Sequence, residues 1–240
     1  SKINGDRSKR IMKRKYSKRY KNIHKDSKDN MAQKIGDVIS KVKKNCTAKF
    51  DESIDISFFL NLKKKKEEFN IRTIVNLPNG NGKKVKVGVL CEDSKAGEAK
   101  KSGAELIGSD NLVNDILQGK INFDKLIATP AMMPKMSKLG KILGPKGLMP
   151  NPKLGTITND IQSAVKALKS GQIEIKSDKD GNVAASIGKK SFADIKIKEN
   201  FDSLLQKIVK EKPTGLKGDF IQAAFITSTM GKSFKLKLSK

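Results

Sequence analysis

Apolar and polar residues alternate in two stretches far apart in the chain, and neither stretch holds enough strands to bury itself. In the first, Ile54, Ile56 and Phe58 alternate with Ser53, Asp55 and Ser57, the pattern of a strand with one buried face. A helix starting at Met31, with Ile35, Val38, Ile39 and Val42 on one side, precedes it, and a second strand over 71–77 follows. In the later stretch Ile173 and Ile175 form a strand, 178–181 a turn, and Val183, Ala185 and Ile187 its hairpin mate. Ser191 and Asp194 are placed to cap a helix whose Phe201, Leu204, Leu205 and Ile208 make one stripe. Strands over 220–227 and 233–238 close the chain. The two stretches are therefore expected to share one α+β unit.

Between them the pattern changes. Val85, Val87 and Val89 predict a strand, 92–102 and 111–117 helices, 125–128 a short buried strand, and 160–168 a helix with Ile161, Ala164, Val165 and Leu168 on one face. Strand and helix taking turns predict a small three-layer α/β unit with a largely parallel sheet. Pro78-Asn79-Gly80-Asn81-Gly82 and Ser170-Gly171 punctuate its two ends. The economical organisation is a basic extension over 1–30, a discontinuous domain from 31–80 plus 172–240, and an inserted domain over 81–171. Two short glycine-rich crossings then act as a hinge. Three separate modules are the alternative, but each would be core-poor.

Charge narrows the function. Fifty-one basic residues against twenty-five acidic ones give a formal charge of +26, which attracts polyanions, nucleic acid before a membrane surface. No apolar run approaches the roughly 18 residues of a membrane span, so a soluble chain is expected. Only five of the basic residues are arginine, four of them before residue 20. Lysine suits phosphate as a point charge, whereas bidentate reading of guanine favours arginine. Recognition of RNA by shape and backbone is the reading; a lysine-biased codon pool explains the excess equally well. Cys46 and Cys91 fit a reducing compartment or buried thiols, and His24 is the sole histidine, so zinc sites, Ser-His-Asp triads and Cys-His dyads are excluded. Neither enzyme activity nor a metal or cofactor is expected. Residues 1–25 carry eleven Lys or Arg, one acid and no hydrophobic core of a secretory signal. They read as a disordered arm for RNA, with an organellar presequence as the alternative.

Residues 138–155, KLGKILGPKGLMPNPKLG, lie in a gap free of acid between Asp124 and Asp160. Four glycines and three prolines argue against regular helix or sheet through most of it, and four lysines argue for an anionic partner. The spacing fails a nucleotide P-loop: Gly140 and Gly144 are too close, and Gly144-Pro145-Lys146-Gly147 lacks the hydroxyl. Ser228-Thr229-Met230-Gly231-Lys232 reads as a turn in which an exposed Met beside hydroxyls suits a folded RNA edge. Phe50, next to Lys49, shares parity with Ile54, so a core role is its default. Lys176, Lys179, Lys189 and Lys190 cluster around the predicted hairpin, as phosphate contacts or as a solvated face.

The stretch ATPAMMPKMSKLGKILGPKGLMPNPKLGTIT, residues 128–158, resembles the signature of the ribosomal protein L1 family. AKFDESIDI and GDFIQAAFITSTMGKSFKLKL match that family in the same order, and the resemblance covers 17–238. It implies a split α+β domain interrupted by an inserted Rossmann-like three-layer α/β domain. It also implies a non-catalytic constituent of the large ribosomal subunit that binds a junction in large-subunit rRNA. Such a protein forms the mobile stalk near the exit site, assists release of deacylated tRNA and, in bacterial members, represses its own messenger. The ribosome of a bacterial cytoplasm or a mitochondrial matrix is the implied location. By motif, the rRNA contacts fall on Lys49, Phe50, Ser53, Thr229, Met230 and Gly231, which replaces the core default for Phe50; Lys176 and Lys179 join them from the hairpin cluster. Lys138, Lys141, Lys146 and Lys153 are implied as a secondary contact. The family's Gly-Ile-Asp-Pro stretch is absent at 61–69, so no contact is carried over there. Residues 1–16 extend beyond the family's usual start and are read as touching RNA or other ribosomal proteins. A nucleotide-dependent enzyme and a membrane-surface protein are the competing classes.

Overall fold

A computed structural model describes residues 17–25, 32–61, 71–213 and 218–238. Helix α1, Lys18–Lys25, is a correction: part of the predicted disordered arm is ordered. It buries Ile23, and Arg19 donates from Nη1 to Thr47 Oγ1 at 3.2 Å. The rest of the arm, and the divergent stretch after Asn61 as far as residue 70, lie outside the described residues.

Helix α2, Ile35–Asn45, turns Val38, Ile39 and Val42 inward. Strand β1, Ser53–Leu60, buries Ile54, Ile56, Phe58 and Leu60, as the alternation requires. Strand β2, Arg72–Asn76, leads into the glycine-rich crossing. Far along the chain come β6, Gln172–Lys176, and β7, Asn182–Lys189, then α7, Asp194–Lys210, β8, Ile221–Ser228, and β9, Phe234–Leu236. An antiparallel sheet runs β7-β1-β8-β9. One core gathers Val38, Phe58 and Val75 with Ile187, Phe201 and Ile226, so residues before 80 and after 170 pack together. Phe58 and Phe201 stack at 6.3 Å within it.

Two local expectations fail here. β6 is not the hairpin mate of β7: it pairs antiparallel with β2, Val75 against Ile173, while β7 pairs with β1. The turn at 178–181 remains, closed by Asp178 N donating to Asn182 O at 2.9 Å and an antiparallel bridge between Ser177 and Val183, but the ladders of both strands run to partners far off in sequence. The Ser191–Asp194 cap does not form. Ser191 donates its hydroxyl to Asp51 Oδ2 at 2.7 Å, and Asp194 pairs with Lys43.

The middle of the chain holds strands β3, Val87–Leu90, β4, Leu106–Gly108, and β5, Lys125–Ala128, in a parallel sheet of order β4-β3-β5. Val87, Val89 and Ile127 pack against helices α3, Ala96–Lys101, and α6, Ile161–Lys169. Leu90 and Leu126 face α4, Asp110–Leu117, and α5, Met133–Leu143. Helices cover both faces, giving the three layers expected of buried parallel strands. Strand β4 was not predicted, and α5 corrects the reading of 138–155 as irregular. Met136, Leu139 and Leu143 fall on one helical face and are fully buried, so packing carries the helix through Gly140. Beyond Leu143 the segment is irregular except for one 3-10 turn, Pro152–Leu154, and is held by its own bonds: Leu148 N donates to Leu143 O at 3.0 Å, and Asn151 caps Lys153 N at 2.9 Å. Among the described residues no helix is long and apolar enough to cross a membrane.

Candidate nucleic-acid interface

One end of the antiparallel sheet brings together residues from four parts of the chain. Ser53, at the start of β1, and Thr229, just past β8, are joined by three hydrogen bonds: Thr229 N and Oγ1 donate to Ser53 O at 3.1 and 3.4 Å, and Ser53 N donates to Thr229 Oγ1 at 3.0 Å. Beside them Glu52 is closed to solvent, at 0 % exposure. Its Oε1 accepts from Ala48 N at 3.0 Å and its Oε2 from Met230 N at 3.1 Å. One carboxylate thus ties the segment carrying Lys49 and Phe50 to the turn carrying Met230 and Gly231. Burial raises its proton affinity, but the amides of Ala48 and Met230, together with the Ser228 hydroxyl and the Arg19 charge, hold the carboxyl below its ordinary value.

The consequence is that Phe50, 53 % exposed, and Met230, 49 % exposed, stand outward on neighbouring loops. Phe50 is not a core residue: the buried parity of β1 runs back only to Glu52, and the chain bends over 48–50. Gly231 permits the tight turn: a Cβ there would lie 2.2 Å from the hydroxyl of Ser228, a buried residue.

Charge at this end is one-sided. Asp51 is occupied by the amide and hydroxyl of Ser191, at 3.1 and 2.7 Å, and Glu52 by its two amides. Lys49 is exposed. Lys189 donates from Nζ to Ser53 Oγ at 2.8 Å, and Lys190 to Cys46 O at 2.8 Å. Arg19 reaches the same corner through Thr47, whereas the Lys232 ammonium is buried beneath it, without a hydrogen-bond partner among the described residues and 5.6 Å from the Phe234 ring centroid. Two apolar side chains therefore project from a cationic rim whose acids are satisfied internally. Riboses, base edges and phosphates present matching surfaces.

The structure brings Lys49, Phe50, Ser53, Thr229, Met230 and Gly231 together but puts Lys176 and Lys179 elsewhere. Gly181 O accepts from Leu60 N at 3.0 Å, so the turn carrying Lys179 sits at the opposite end of β1, roughly 20 Å away at about 3.3 Å per residue. From the same lysine cluster, Lys189 and Lys190 are the members at the site. Sequence reasoning missed Glu52 and Arg19; the only signal for Glu52 was its place between an aromatic residue and a strand.

On the inserted unit Lys138, Lys141, Lys146 and Lys153 are all exposed, and none forms a salt bridge among the described residues. The helical register of α5 aims Lys138 and Lys141 away from buried Leu139 and Leu143. Burial pushes the thiols of Cys46 and Cys91 up, so neither is a ready nucleophile. No group of His, Cys, Asp and Glu among the described residues could hold a metal ion.

Comparison with known proteins gives a consistent picture. Residues 42–232 match the model of the ribosomal protein L1p/L10e family. The chain is 59 % identical over 225 residues to the large ribosomal subunit protein uL1 of Pelagibacter ubique, covering 93 % of this chain and 98 % of that protein. It is 44 % identical over 226 residues to the uL1 protein of Fervidobacterium nodosum, covering 94 % and 96 %. With that of Rickettsia conorii it shares 40 % over 222 residues, covering 92 % and 93 %.

Proposed function

The chain belongs to the ribosomal protein L1p/L10e family, a family of structural ribosomal proteins and not of enzymes, and from that premise we propose that it binds large-subunit rRNA through the Phe50–Met230 end of its antiparallel sheet. The observation that supports this best is the pair of outward apolar side chains on two loops that Glu52 ties together, within a cationic rim. Phe50 and Met230 lie against bases and riboses, and the hydroxyls of Ser53 and Thr229 with the backbone at Gly231 supply short polar contacts. Lys49, Lys189 and Lys190 neutralise phosphates. Lys176 and Lys179 belong at most to the periphery of such a complex.

In the same reading the chain divides into an extension over 1–30, a split domain over 31–80 and 172–240, and an inserted domain over 81–171. The exposed lysines of the inserted unit make the secondary RNA contact and face the exit-site tRNA whose release the stalk assists. Repression of the chain's own messenger uses the same sheet end, since one surface binds any RNA that presents the same junction. Residues 1–16 reach RNA or neighbouring ribosomal proteins.

Binding to the cognate large-subunit rRNA fragment tests the reading. Met230→Asp and Phe50→Ala are each expected to weaken it at least tenfold with an unchanged thermal midpoint, both side chains being half exposed. The wild-type constant should fall steeply with salt, with a log–log slope near −0.7 to −0.9 for each phosphate neutralised. Wild-type affinity in the Met230→Asp variant would place the primary contact elsewhere.

A further inference from the structure

The four-stranded sheet has two unlike faces. Helices α2 and α7 cover one, where Ile54, Ile56 and Phe58 are fully buried. On the other, the residues of β1 and β8 are partly or wholly open. Its two largest side chains, Phe59 and Phe225, stand on the two central strands. Their rings meet edge to face, centroids 5.5 Å apart at 79°, and Phe59 is 41 % exposed. Ala223 lies opposite Phe59 and Ser57 opposite Phe225, so the floor beside the rings is low. Exposed Lys235 is the cross-strand partner of Phe225 and lies on the same face.

We propose that this open sheet face is a second RNA-binding site, taking single-stranded RNA whose unpaired bases stack on Phe59 and Phe225 while Lys235 meets a phosphate. Two rings on a flat floor are far less apolar area than the roughly 800 Å² per partner of a stable protein interface. An aromatic face on an open sheet fits a base equally well whatever its sequence, provided the base is unpaired. The charge of the chain and the lysine beside the rings favour a polyanion. The face is also continuous with the sheet end at Ser53 and Thr229, Phe59 lying about 20 Å along β1 from Ser53. Asp55, opposite Thr227, lies between the two regions, so the rings form a separate contact. This site does not depend on the Phe50–Met230 reading.

The test uses the full chain and a short fluorescein-labelled oligouridylate, followed by anisotropy. Phe59→Ala and Phe225→Ala are each expected to raise Kd about tenfold, Phe59→Tyr to leave it near wild type, and Met230→Asp to change it less than about twofold. Lys235→Gln should reduce the salt slope by about one counterion. Should an alanine variant lose its thermal midpoint, ultraviolet crosslinking of the wild-type complex replaces it, with the crosslinks expected on β1 and β8. Wild-type affinity in stable Phe59→Ala and Phe225→Ala variants overturns the proposal. So do crosslinks found only outside β1 and β8, loss of oligouridylate binding in Met230→Asp alone, or a protein partner, not the oligonucleotide, depending on Phe59.

Discussion

Glu52→Gln is expected to weaken RNA binding on the order of tenfold and to lower stability by roughly 2 kcal/mol. The carboxylate is closed to solvent and accepts one amide on each oxygen, from Ala48 and from Met230. Glutamine keeps the shape but has a single acceptor; its NH2 group turns a donor towards one of those amides, and one loop loses its tether. The Ser53–Thr229 pair still holds the strands together, so the fold survives. What suffers is the fixed spacing of Phe50 and Met230, which then must be ordered when RNA binds. Denaturant unfolding and rRNA affinity measured on the same preparation check both parts. Reduced stability with unaltered affinity would assign Glu52 to the fold and remove it from the site. The pH dependence has a definite sign. The folded carboxyl sits below its ordinary value, so its contribution is full above the ordinary carboxylate range. That contribution is lost as pH falls through the lower, folded value. Acid unfolding of the wild type should contain a component below about pH 4 that the Glu52→Gln chain lacks.

The second large effect belongs to the crossing between the sheets. Gly171→Ala should cost about 3 kcal/mol, and Gly80→Ala about 1 kcal/mol. Both glycines have positive φ, 107° and 63°, but their surroundings differ. A Cβ at Gly171 would lie 2.4 Å from Gly80 Cα and 3.1 Å from Leu77 O, whereas one at Gly80 meets nothing nearer than 3.9 Å. The opposing backbone cannot give way easily. Buried Asn200 of α7 donates to Gly80 O at 2.7 Å and to Ile187 O at 2.8 Å, and accepts from Asn79 N at 3.1 Å. An alanine at Gly171 must therefore push apart two chain crossings that α7 has pinned. Thermal melting should show a midpoint lower by about 6–12 °C for Gly171→Ala, at about 2–4 °C per kcal/mol for a chain of this size. A fall no larger than that of Gly80→Ala would mean that the crossings separate freely and that the contact is not a constraint.

How much of the fold is legible in the sequence depends on how local its cause is. The alternation of Ile54, Ile56 and Phe58 made β1 legible, because a half-buried strand writes its burial into every second residue. The stripe of Ile161, Val165 and Leu168 did the same for α6. Strand β4 has three residues, too short for any period to show. Helix α5 was obscured by Pro134 and Gly140, which weaken a helix in isolation and are tolerated here because Met136, Leu139 and Leu143 are buried beneath it. For β6 the turn was legible and the partner was not: hydrogen-bond pairing with β2 joins segments on either side of the inserted unit.

The site divides along the same line. Motifs around Lys49-Phe50 and Thr229-Met230-Gly231 were legible as residue types that suit RNA, and their match to the ribosomal protein L1 family brought them forward together. Net charge, the absence of a catalytic constellation, and the alternation of strand and helix were also properties of the sequence alone, because each follows from composition or from neighbours along the chain. Only the tertiary structure decided that Glu52 would serve as the tether, that Lys189 and Lys190 would stand at the site while Lys176 and Lys179 stood at the other end of β1, and that Phe59 and Phe225 would share an open face. An acid in a charged sequence reads as solvated until two amides, one of them 178 residues away, close over it. Long-range pairing sets which side chains meet, and no local pattern carries that information.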